Sequence, residues 1–218
     1  QITVTDIGST TTGSANGIYI SNVNPGTSIN ANNLLINVAS NNSAYGVYIH
    51  GKNSSLDFGQ GRQINVESQQ GNSTGLYFFD GGNTFTMDGG SINVTSITTG
   101  KATGIDTSRA EGTTLNLGDN TQIEVNSGAG GGSGLYLGTD TTLNANGLLI
   151  DVTAPDAVNG PMLYGIQAGS NSHVNLGEGS QITIATPGGT AYGLTSAMGS
   201  EVTADNLTID VSTTATDP

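Results

Sequence analysis

No cysteine occurs among the 218 residues, so neither disulfides nor thiolate metal sites can hold this chain together. Basic residues are almost as scarce: 4 Lys plus Arg stand against 17 Asp plus Glu, with 2 His, for a formal net charge of −13. Phosphate recognition needs clustered positive charge, so this surface is unsuited to nucleic acid and to anionic membranes. Aromatic residues make up 5% of the chain and charged residues 10%. Those values leave too few large apolar side chains for a helical bundle or a doubly wound sheet, and too little charge for an ordinary disordered tail. No apolar run of about 18 residues is present, and the first residues, Gln1-Ile2-Thr3-Val4, carry neither the basic nor the apolar region of a secretion signal. What is abundant is Gly, at 34 residues, with Ser, Thr and Asn. A chain of that kind buries a core most readily as an array, in which each short unit covers the next.

The array is visible in the glycines. Gly17, Gly46, Gly75, Gly104, Gly134, Gly165 and Gly193 each precede Ile, Val or Leu, at steps of 29, 29, 29, 30, 31 and 28 residues. Within each unit three short stretches alternate apolar and polar, the signature of half-buried strands. The first reads Gly-apolar-x-apolar, as in Gly46-Val47-Tyr48-Ile49 and Gly134-Leu135-Tyr136-Leu137. The second places inward pairs such as Leu56 and Phe58, Phe85 and Met87, and Leu115 and Leu117. The third is the most regular: Ile36-Asn37-Val38, Ile64-Asn65-Val66, Ile92-Asn93-Val94, Ile123-Glu124-Val125, Ile150-Asp151-Val152, Ile182-Thr183-Ile184 and Ile209-Asp210-Val211.

Leucine-rich repeats of comparable length need a Leu-x-x-Leu-x-Leu pattern, and a propeller blade needs about 40 residues. Three strands per near-constant unit predict instead an all-β, right-handed parallel β-helix of about seven rungs. The whole of 1–218 reads as one β-helix segment, with rungs beginning near 17, 46, 75, 104, 134, 165 and 193. Ile2-Thr3-Val4 matches the third strand of an incomplete rung, so the chain is expected to be a segment of a longer precursor. The interval from the second-strand apolar residue to the third-strand Ile alternates strictly between 7 and 8 residues, from Ile29–Ile36 to Val202–Ile209. The true repeat is thus a pair of rungs, with Gly at the longer corner (Gly59-Gln60-Gly61, Gly118-Asp119-Asn120, Gly177-Glu178-Gly179).

Gly-[Ile/Val/Leu]-Tyr, Ser/Thr-x-[Leu/Ile/Val]-Asn and Ile-[Asn/Asp]-Val, recurring near every 29 residues in a Cys-free chain, resemble the passenger domains of Gram-negative autotransporters, most closely the pertactin-like and self-associating adhesins. The resemblance covers all seven rungs. It implies export through the outer membrane, display at the bacterial cell surface, and a role in adhesion, aggregation or biofilm growth. The C-terminal translocating barrel of that family is not in this sequence, nor is an Arg-Gly-Asp tripeptide.

Several residues are candidates for function. Tyr19, Tyr48, Tyr77 and Tyr136 share one outward position, interrupted by Asp106 and giving way to Gln167 and Thr195. Such a ladder offers ring faces to a sugar or partner, and equally serves to stiffen the rod. All four cations, Lys52, Arg62, Lys101 and Arg109, fall between positions 52 and 109. Lys52 and Arg109 share the first corner with Asp80, where an anionic glycan or simply a solvated mixed corner is expected. Asn30, Asn37, Asn65, Asn93, Asn116, Asn144 and Asn175 stack outward and are expected to form hydrogen-bonded ladders, the first six of them a candidate surface for self-association.

Other patterns carry less. Glu124, Asp151 and Asp210 replace Asn in later rungs and read as a solubilising face, because the nonapeptide of Ca²⁺-binding β-rolls is missing. Gly71-Asn72-Ser73-Thr74-Gly75 matches a nucleophile elbow, but that motif works only on a strand-to-helix turn. The run Gly128-Ala129-Gly130-Gly131-Gly132-Ser133-Gly134 lacks a helix to present amides to phosphate and reads as a flexible corner. His50 and His173 lie about four rungs apart and read as separate surface residues. No cofactor, metal or catalytic group is expected. The function these features point to is an extracellular adhesin, with host glycan, matrix protein or another copy of itself as partner; alternatives are a polysaccharide-binding or polysaccharide-cleaving β-helix and a passive spacer.

Overall fold

A computed structural model describes residues 1–6, 13–21, 26–155 and 162–213. Its described residues contain strands, turns and bends but no helix, and the strands fall into three parallel sheets of seven, seven and eight. The first-strand sheet runs from Ser14–Ile20 to Thr190–Ser196, the second from Ser28–Asn30 to Glu201–Ala204, and the third from Ile2–Asp6 to Thr208–Thr213. Each strand pairs with its counterpart one rung before and one rung after, so the chain coils as a parallel β-helix with three strands per turn.

The third sheet shows why the sequence holds one register. Ile2, Ile36, Ile64, Ile92, Ile123, Ile150, Ile182 and Ile209 are successive partners in the ladder, and from Ile36 to Ile182 none is more than 2% exposed. A slip of one residue would turn this column to solvent and bring Asn37, Asn65 and Asn93 inside, so the apolar column fixes the pairing. In the middle rungs Phe58, Phe78 and Phe85 fill the axis, with Phe58 and Phe85 edge to face at 5.3 Å.

The first-strand glycines sit where the first and third sheets approach closely. A Cβ on Gly46 would lie 2.5 Å from Ile64 Cγ2 and 2.6 Å from the carbonyl oxygen of Gly75, and the same two partners recur for the other rung glycines up to Gly165. There the sheet and its neighbour approach so closely that only Gly fits. Period-two alternation also breaks at this point: Gly46 and Val47 are both buried, and Tyr45 and Tyr48 on either side face outward.

At the corner between first and second strands, Asn53, Gly82, Gly112, Asp140, Asn171 and Gly199 take φ between 53° and 77°, a region open to Gly, Asn and Asp. Small polar residues lie inside this corner, and two of them bond its backbone directly. Ser54, Asn83, Thr113, Thr141 and Ser172 are buried; Asn83 Oδ1 accepts from the Ser54 amide at 2.8 Å, and Ser172 Oγ donates to the Gly138 carbonyl at 2.8 Å.

The two-rung period is present at the corner before the third strand. Gly59, Gly118 and Gly177 of the longer rungs lie under Asn32, Asp88 and Asn146 of the shorter ones, whose Oδ1 atoms occupy the space of the absent Cβ. The Gly128–Gly134 run corrects the expectation of a flexible corner. Gly130 stacks on the backbone of Thr99 and Gly100, and Ser127 Oγ donates to the Gly131 carbonyl at 2.5 Å, so these glycines serve close packing between rungs.

Replacing Gly46 by Ala is expected to lower stability by about 1–3 kcal/mol, the range for forced overpacking. Gly51→Ala, whose Cβ would meet its nearest neighbour at 3.5 Å, is expected to change it by less than about 0.5 kcal/mol. Chemical denaturation of the two variants measures the difference.

Candidate functional site

The tyrosine column lies where the sequence places it. Register pairs Tyr19 with Tyr48, Tyr48 with Tyr77, Tyr77 with Asp106, Asp106 with Tyr136, Tyr136 with Gln167 and Gln167 with Thr195. Ring centroids of Tyr19 and Tyr48 are 5.4 Å apart and those of Tyr48 and Tyr77 5.0 Å, at tilted angles.

Three further rings, not singled out as ligand candidates in the sequence, complete a continuous surface. Tyr45 lies 5.1 Å from Tyr48 and 5.6 Å from Tyr77. In an unbroken strand Tyr45 and Tyr48, three residues apart, would face opposite ways; the double inward step at Gly46-Val47 brings both out. Phe79 continues the alternation one step past the end of its strand, 6.4 Å from Tyr77, and His50 packs edge-on against it at 4.6 Å. Here His50 is a member of an aromatic cluster, with Nε2 3.8 Å from Asp80 Oδ2. His173 is separate, beside Glu201 at 3.9 Å. A second pair of rings, Tyr164 and Tyr192, stacks in the Tyr45 column near the far end, at 5.3 Å and 15°.

Three cations lie along the first-strand face and its corner, one of them directly over the six-ring surface. The Arg109 guanidinium lies over the Phe79 ring, 5.3 Å from its centroid, and the Lys101 ammonium lies 4.5 Å from the centroid of Tyr136. Lys52 and Arg109 line a cleft of about 340 Å³ at the first corner, with Asn53, Asp80, Gly81, Gly82 and Glu111. Lys101 sits at the opposite margin of the first-strand face, where partial burial lowers its pKa and Asp106 partly offsets that. Among the described residues no carboxylate comes within 4.0 Å of a nitrogen of Lys52, Lys101 or Arg109.

Arg62 is the correction. It was expected with the other cations as a ligand group, but it opens the third strand at an inward position shared with Gly90 and Thr121 and is 2% exposed. Its Nη2 donates to Asn32 Oδ1 at 3.2 Å and to the Ala31 carbonyl at 3.5 Å, and burial lowers its pKa. Arg62 holds the corner from inside and is closed to a ligand.

The asparagine ladders form as expected in two places. Asn65 donates to Asn37 and Asn93 to Asn65 at 2.7 and 2.8 Å; Asn144 donates to Asn116 and Asn175 to Asn144 at 3.0 and 2.9 Å. Asn30 shares the second column but is parted from Asn116 by Asp57 and Thr86, and so stands outside that ladder. Each interior amide spends a donor and an acceptor on its neighbours, which reduces what these columns can offer another molecule. Ser73 of the elbow-like motif is buried and donates to the Thr95 carbonyl at 2.6 Å, so it is closed to a substrate.

Electrostatics marks the centre of the aromatic surface. Burial, then the Asp106 carboxylate, pushes the Tyr77 phenol up to about 12, and burial also raises Tyr45 and Tyr48. These phenols stay neutral donors and acceptors well above neutral pH. Comparison with protein-family models, curated proteins and solved structures finds no match.

Because its folded pKa is raised, Tyr77 contributes stability that is complete below pH 10 and is lost as pH climbs toward 12. Tyrosinate absorbance is expected to show late-titrating phenols with Tyr77 the last of them, and Asp106→Asn is expected to bring Tyr77 part of the way down. An unchanged titration in that variant would contradict the contribution assigned to Asp106.

Proposed function

We propose that this chain is a segment of a surface-displayed adhesive β-helix that recognises carbohydrate on cells or matrix through its first-strand face. The observation that carries this reading is the six-ring aromatic surface, Tyr19, Tyr45, Tyr48, Tyr77, Phe79 and His50, with Arg109 over Phe79 and Lys52 in the same corner cleft, neither ion-paired to a described carboxylate. Aromatic faces receive the C–H surfaces of sugar rings while phenolic and guanidinium groups bond their hydroxyls. A rigid rod presents such a surface at a fixed spacing, so weak single contacts gain strength when many copies stand on one cell. The resemblance to autotransporter passengers supports display at the bacterial outer surface. The asparagine columns contribute less to partner contact than the sequence suggests, because their amides are bonded along the axis.

Beads coated with the chain are expected to adhere to glycan-bearing surfaces. The double substitution Tyr48→Ala with Tyr77→Ala is expected to weaken glycan binding by about ten- to a hundredfold, the loss of two aromatic contacts of about 1 kcal/mol or more each. Unaltered adhesion in that variant, or reducing-end release from the bound glycan, would overturn the reading; the second result would favour a polysaccharide-cleaving protein.

A further inference from the structure

The chain has more than four carboxylates for each cation, 17 against 4, so chance would leave few cations outside an ion pair. Arg62 is buried in the corner before the third strand. The other three lie without an ion pair to any described residue: Arg109 lies over Phe79 of the aromatic surface and shares one cleft with Lys52, and Lys101 lies over Tyr136. Cations held out of ion pairs next to ring faces form a receptor for a ligand that is anionic and has apolar faces. The protein's negative field makes the requirement sharper, because an anion gains here only through direct contact with these groups.

The spacing narrows the ligand. Lys52, Asp80 and Arg109 sit on three successive rungs at one corner, so the two cations are two rungs apart, about 10 Å along the axis. An extended glycan covers that span with one disaccharide. Between the cations, Asp80 has its Oδ2 buried and 3.8 Å from His50 Nε2, while Glu111 lines the same cleft. Two carboxylates in the cleft disfavour a polymer charged densely on every unit. They suit one whose acidic groups fall on alternate units, with hydroxyl or amide donors between them for the carboxylates to accept.

We propose that this corner binds a linear polysaccharide of alternating uronate and neutral sugar units. Its carboxylates are received by Lys52 and Arg109, and its sugar rings lie against Tyr48, Tyr77 and Phe79. The assignment rests on the carbohydrate reading above and adds the acidic class and its register. It gives Arg109 a double role: its guanidinium lies over the Phe79 ring, 5.3 Å from the centroid, and its N–H donors, free of any ion pair with a described residue, receive a carboxylate.

The test is calorimetric titration of the intact 218-residue chain with three probes: a uronate-containing tetrasaccharide, its carboxyl-reduced neutral counterpart, and polyglutamate as an acidic chain without sugar faces. Carboxyl reduction is expected to cost about tenfold in affinity, and Arg109→Ala and Lys52→Ala about tenfold each, as for loss of a charge-assisted hydrogen bond. Arg109→Lys should recover only part of the loss. Both positions are exposed, and circular dichroism and thermal melting of each variant are expected to match the parent chain. If the reduced tetrasaccharide binds as tightly as the acidic one, or polyglutamate binds as tightly as either, the proposal is overturned. Glycan binding that depends on Tyr48 and Tyr77 but not on Lys52 or Arg109 overturns it while leaving the carbohydrate reading intact. Binding of no glycan at all overturns both.

Discussion

The close contact between each first-strand glycine and the third-strand isoleucine of its own rung sets the shape of this molecule. At Gly46 the space of a side chain is already filled by Ile64 Cγ2 and by the next rung's carbonyl. With no Cβ to accommodate, the two sheets close on one another and a chain with few large apolar residues still excludes water from its core. The same contact makes two consecutive residues face inward, which reverses the parity of the strand beyond it. Tyr45 and Tyr48 therefore share one face, and the aromatic surface becomes two columns wide instead of one. Core packing and the candidate binding face have a single origin.

Polar residues divide their labour by depth. Inside, Ser54, Asn83, Thr113, Thr141 and Ser172 lie buried beside the turned backbone at the first corner, where some bond chain amides and carbonyls directly. Outside, the Asn columns bond along the axis and tie rung to rung, a role much like that of the backbone ladder itself. Buried polar groups without partners are costly, so these internal bonds help a Gly- and Ser-rich chain hold one registered coil.

Charge is distributed with the same economy of partners. Lys101 and Arg109 lie within cation–π distance of rings, and Lys52 shares the corner cleft with Arg109. An ammonium or guanidinium over an aromatic face keeps donors free that an ion pair would occupy. Asp106, set between Tyr77 and Tyr136 in the ladder, interrupts the tyrosine column and adds to the burial that raises the pKa of the central phenol. The face is thus a graded surface, aromatic at its centre and cationic at its margins, on a rod that is otherwise acidic.

The sequence by itself determined the coil, its three strands per rung, the pairing of long and short rungs, the tyrosine column and the asparagine ladders. Each is a periodic property, and periodicity survives the step from one dimension to three because parallel stacking copies it from rung to rung. What only the tertiary structure decided is where that periodicity breaks. Tyr45 counts as inward by alternation and is outward because of the step at Gly46. Arg62 looks like a surface cation and is buried, because the first residue of its strand belongs to an inward column. Asn30 matches a ladder in residue type and is cut off from it by Asp57 and Thr86. The glycines after Ser127 suggest looseness and are close-packed against the rung before. Whether a side chain faces the core or solvent at a kink or corner depends on what the neighbouring rungs leave room for, and that is a property of packed volumes.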